Sequence, residues 1–78
     1  MSNNFWYSEI NSSQRKIIGL TFNMWRLDLS LNDPNVTLTA YEKISILTKI
    51  AEIKTQIRYC EECINYATKQ INRKSSFT

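Results

Sequence analysis

Ile46, Ile50, Ile53, Ile57, Cys60, Ile64, Ala67 and Ile71 follow one another at intervals of 4, 3, 4, 3, 4, 3 and 4 residues. On an α-helix that spacing lines all eight side chains along one narrow stripe. An ordinary surface helix carries a broader apolar face, so a stripe this narrow reads as the a/d seam of a coiled coil. With Ile50 at position a and Ile53 at d, isoleucine holds every a position from Ile50 to Ile71. The d positions shrink from isoleucine to Cys60 and Ala67, and a neighbouring helix is expected to approach more closely towards that end. Thr39-Ala40-Tyr41-Glu42 has the form of a capping box, in which the Thr39 hydroxyl accepts from the Glu42 amide and the Glu42 carboxylate from the Thr39 amide. Glu42 in the first turn, and Lys69, Arg73 and Lys74 near the last, suit the helix dipole. The pattern predicts a helix over 40–72, a rod of roughly 50 Å. Such a rod needs something to cover its isoleucines.

What can cover them is bounded by size. The chain has 78 residues, which is read as one domain over 1–78. A single core in so short a chain supplies only ~3–5 kcal/mol unless it is reinforced. Disulfides and metals are poor candidates, because the chain has two cysteines, one turn apart, and no histidine. Oligomerisation is the reinforcement left. One glycine and one proline also argue against a turn-rich β fold.

The N-terminal half repeats the seam. Trp6, Ile10, Ser13, Ile17, Leu20, Met24, Leu27 and Leu31 again run 4, 3, 4, 3, 4, 3, 4. Asn11-Ser12-Ser13 is nevertheless good N-cap chemistry, and Asn11 with Gln14 would make a second capping box. The expectation is therefore an aromatic arm or short helix over 1–12, a break at 11–13, and a helix over 13–31. Gly19 inside that helix costs roughly 1 kcal/mol relative to alanine and suggests a close helix crossing. A second stripe, Ile18, Phe22, Trp25 and Leu29, lies almost opposite the first. A helix apolar on two opposed faces is covered on both. In a chain with one other long helix, the second face must meet another copy or another protein.

Residues 25–40 carry a rival pattern. Trp25, Leu27, Leu29 and Leu31 alternate with polar residues, as do Val36, Leu38 and Ala40 beyond Asn32-Asp33-Pro34-Asn35, which would suit a β-hairpin. The helical register is the longer pattern and is preferred. Pro34 places the turn within 32–39 on either reading. The expected fold is all-α: an antiparallel helical hairpin with a basic tail over 73–78, dimerising into a four-helix bundle.

Catalytic constellations are missing from the sequence. There is no histidine for acid–base work and no glycine-rich loop for phosphate. Glu61 and Glu62 are adjacent and point to different sides of a helix. Cys60-Glu61-Glu62-Cys63 has CxxC spacing, but a zinc site would need two more ligands, and a redox CxxC normally opens a helix. No enzyme activity, cofactor or metal is expected. Nor is a membrane span, since no stretch approaches ~20 apolar residues. Without a basic, apolar leader at the start, a cytoplasmic location is the default.

Binding is what remains. Phe5, Trp6, Ile18, Phe22, Trp25, Leu29, Ile44 and Leu47 are candidates for a partner or oligomer interface, where aromatic residues concentrate. The expected partners are a second copy and another protein, which a small regulator or inhibitor would bind. The net charge of +3 raises an alternative, a dimeric nucleic-acid binder. Its candidate contacts are Tyr59, Tyr66, Lys69, Arg73 and Lys74, with the tyrosines stacking on bases and the cations meeting phosphates. The basic residues are few for a clear nucleic-acid footprint.

Overall fold

The computed structural model describes residues 3–75, the side chains of Lys74 and Ser75 excepted. It contains two helices, α1 (Asn4–Asn32) and α2 (Ala40–Ser75). They pack against each other as a hairpin, a rod 60 Å long and only 15 Å by 14 Å across. Its radius of gyration is 17.8 Å, against ~12 Å for a compact domain of this length. The core is a line between two helices.

That line is the seam. In α1 the buried or half-buried residues are Trp6, Ile10, Ser13, Ile17, Leu20, Met24, Leu27 and Leu31; every other described residue of the helix is exposed. In α2 they are the whole register from Ile46 to Ile71, with Cys63 and Gln70 beside it. The facing order is antiparallel. Ile17 and Ile64 line one groove, Leu20 and Cys60 another, and Leu27 and Ile53 a third. The deepest positions belong to small side chains: Ser13 at 7%, Cys60 at 6% and Ala67 at 1% exposure. The small d residues Cys60 and Ala67 therefore sit where coverage is most complete.

α1 is continuous through 11–13, so the expected break and the Asn11–Gln14 capping box are corrected. Asn11, Ser12 and Gln14 are exposed while Ser13 is buried in the seam. Seam contacts on both sides of Ser13 hold the helix through a locally favourable cap, a case of packing overriding propensity. α1 is weakly capped at its start, since Asn3 makes no side-chain cap bond and the first turn has no acidic residue. Helix also extends through Arg73–Ser75, where a tail was expected; 76–78 lie outside the described residues, as do 1–2 of the N-terminal arm. Gly19 plays no part in the hairpin crossing, because a Cβ there would meet nothing within 4 Å.

The β-hairpin alternative fails because α1 runs to Asn32. Asp33, ahead of Pro34, is extended, with φ −77° and ψ 115°, the conformation proline imposes on its predecessor. The Val36 amide then donates to the Asp33 carbonyl at 3.2 Å, and the Asn35 amide to Asp33 Oδ1 at 2.9 Å. This is a turn with proline in its favoured second position.

The capping box of α2 forms as expected. The Glu42 amide donates to Thr39 Oγ1 at 3.1 Å and the Thr39 amide to Glu42 Oε1 at 3.1 Å. The Thr39 backbone amide, and next its hydroxyl, hold the Glu42 carboxyl below its ordinary value. A lowered carboxyl contributes stability above its unfolded-state value and loses it as pH falls through the folded one. Thr39→Ala should cost ~1 kcal/mol, read as a lower midpoint in denaturant. Glu42→Gln should flatten the acid limb of the wild-type stability profile; an unchanged acid limb would show that the charge of the Glu42 carboxylate contributes nothing to stability.

Candidate interaction surfaces

A two-helix rod has two flanks where the helices meet and two outer backs. On one flank Thr21, Met24, Trp25 and Asp28 of α1 line a shallow groove with Ile50 and Lys54 of α2. Leu47 precedes Lys54 by one heptad and so lies on this same flank. Ile18, Phe22, Trp25 and Leu29 run along the back of α1 beside it. All four are exposed, from 50% at Leu29 to 68% at Ile18. Ile44 and Leu47 are exposed as well, near the loop end where α2 begins. Phe22 and Trp25 touch, with ring centroids 5.9 Å apart. Ile18, Phe22, Trp25 and Leu29 thus form an apolar stripe on α1, and Ile44 and Leu47 are exposed on α2 beyond the groove that Asp28 and Lys54 line.

The other flank is different in kind. Lys16 and Leu20 line a groove there with Thr55, Gln56, Tyr59 and Cys60. Tyr66 and Arg73 follow Tyr59 at heptad intervals, so the proposed stacking strip runs along this side towards the termini. Tyr59 and Tyr66 are exposed, as are Lys69 and Arg73; the Lys74 side chain lies outside the described residues. The strip is already partly engaged. Tyr66 meets Trp6 edge-on at 5.6 Å. Cys63 raises the Tyr59 phenol above its ordinary value, first through charge and then through a hydrogen bond.

No protein-family model, curated protein or solved structure matches the chain.

Two expected interface residues separate from the rest. Trp6 is half-buried in the seam between Tyr66 and Phe5, whose ring lies 4.8 Å from its own. Phe5 is exposed, but it belongs to this terminal cluster and not to the face around Trp25. Sequence periodicity places Trp6 in the seam too; its aromatic character is what put it among interface candidates. Cys60 is buried and Cys63 half-buried, and both are free thiols. Among the described residues no group of three or more His, Cys, Asp or Glu is placed to hold a metal ion. No helix there is long and apolar enough to cross a membrane.

Proposed function

We propose that the chain is a non-enzymatic, self-associating interaction module that binds another protein as a small regulator or inhibitor, and that two hairpins close into a four-helix bundle. The observation that carries this reading is the exposure of Ile18, Phe22, Trp25, Leu29, Ile44 and Leu47. Isolated surface apolar residues need no explanation, whereas four in register along the back of one helix, with two more exposed on its neighbour, favour a binding surface. Total surface area argues the same way. A folded monomer of 9.2 kDa exposes ~4,900 Å² by the usual size scaling. This hairpin exposes 6384 Å², an excess of about 1,500 Å², where a standard interface takes ~800 Å² from each partner.

Light scattering coupled to size exclusion should report at least twice the 9.2 kDa chain mass at micromolar concentration. A folded monomer that persists at that concentration would overturn self-association. A second reading, a dimeric nucleic-acid binder, is supported by the exposed Tyr59 and Tyr66 with Lys16 and Arg73 on the same side. The two readings use opposite flanks, so substitutions on one leave the other untouched.

A further inference from the structure

We propose that Cys60 and Cys63 form a binding site for a soft monovalent metal ion, copper(I), held between their two thiolates. Both are free thiols, Cys60 buried and Cys63 half-buried. Cys60 lines the groove that Lys16, Leu20, Thr55, Gln56 and Tyr59 also border. Cys63 follows Gln56 by one heptad, so it lies on that same flank. A hydrogen bond joins Cys63 to the Tyr59 phenol, and negative charge at Cys60 reaches that phenol as well. The three side chains therefore cluster at the edge of the seam, beside a groove open to solvent.

Helix geometry decides what the cysteine pair can do. Side chains three residues apart on a helix have Cβ atoms ~5–6 Å apart. A disulfide needs ~3.5–4.5 Å between the same atoms, so a direct bridge would distort α2 in the middle of the seam. A central metal ion lengthens the span by two bonds to sulfur, each about 2.3 Å in the case of zinc, and the helix keeps its shape. Zinc itself takes four ligands in a structural site. Among the described residues no third His, Cys, Asp or Glu stands with the pair to hold a metal. Thiolates suit copper(I) as well as zinc, and copper(I) is satisfied by two of them in a line.

Charge in the groove favours the same ion. Binding takes a proton from each thiol and releases both to solvent, and one monovalent cation between two thiolates leaves a single negative charge. Lys16 lines that groove from α1, and a cation beside a thiol favours the thiolate. The carboxylates next in sequence lie elsewhere. Glu61 follows Lys54 by one heptad, which puts it across the seam, and with Arg58 and Glu62 it lines a separate groove beside Ile17 and Ile64.

Competition with a coloured copper(I) chelator, bicinchoninate under ascorbate, tests the site on the whole chain. The wild type should withdraw one copper(I) per chain and release two protons for each ion bound. Cys63→Ser, half-buried beside the seam, should hold copper(I) at least tenfold more weakly, with its helical circular dichroism unchanged. X-ray absorption at the copper edge of the loaded wild type needs no variant and should show two sulfur neighbours. If Cys63→Ser loses helicity, that spectrum decides alone. No withdrawal from the chelator, or undiminished withdrawal by a folded Cys63→Ser, overturns the site. One ion per two chains with three or more sulfurs around it overturns it as well, because the thiolates then come from two copies.

Discussion

Ile57→Asp is expected to leave the chain unfolded. Ile57 is an a-position residue near the middle of α2, half-buried between the helices. A carboxylate placed there faces apolar side chains, and its short side chain cannot carry the charge out to water as a lysine stem can. The desolvation cost is several kcal/mol. The hairpin has little to set against it, because its core is a single seam of the kind that supplies only ~3–5 kcal/mol. Tyr59→Asp is the control. It lies two residues away, is exposed, and should keep the helical circular dichroism of the wild type. Full helicity with a cooperative melt in Ile57→Asp would mean that the seam is assigned to the wrong face.

Both halves of that seam are legible in the sequence because helical periodicity is a property of the backbone. Eight positions in each half share one register, and burial in the structure follows it residue by residue. The capping box at Thr39 and Glu42 is legible for the same reason, since its bonds are local. The continuity of α1 is not. Asn11-Ser12-Ser13 carries real N-cap chemistry, and what defeats it is contact between Ser13 and a helix some fifty residues further along the chain, an interaction invisible to a local window. Ser13 is also the one polar member of its register, which made the break look more natural than it is.

The candidate surfaces show a similar division. Opposed stripes on α1 follow from spacing alone, so the exposure of Ile18, Phe22, Trp25 and Leu29 is readable in advance. Trp6 and Trp25 look alike as aromatic candidates, and only the packing separates them: one closes the seam against Tyr66, the other stands in solvent beside Phe22. The separation of the apolar face from the tyrosine strip depends on which flank of the hairpin each one borders. That needs the relative rotation of α1 and α2, which no single-helix pattern contains.

This separation makes the two tryptophans discriminating probes. Trp25→Ala should raise the dissociation constant of the dimer about 30-fold or more, the ~2 kcal/mol of an interface hot spot, with helicity unchanged at concentrations where the dimer persists. Trp6→Ala should instead lower thermal stability, because its ring packs between the helices. A nucleic-acid binder predicts the opposite sensitivity. Affinity for short duplex DNA would fall steeply with salt, with a log–log slope of about −0.9 per phosphate contacted. Lys69→Gln with Arg73→Gln removes two cations from each copy and would flatten that slope by up to about four contacts' worth. Point substitutions suit this test better than truncation after Gln70, because Ile71 belongs to the seam and its loss would weaken the fold. The expected result is a silent Lys69/Arg73 double variant and a weakened Trp25→Ala dimer. If Trp25→Ala dimerises like the wild type while the double variant loses a salt-dependent complex with DNA, the tyrosine strip is the working surface and the apolar face is not.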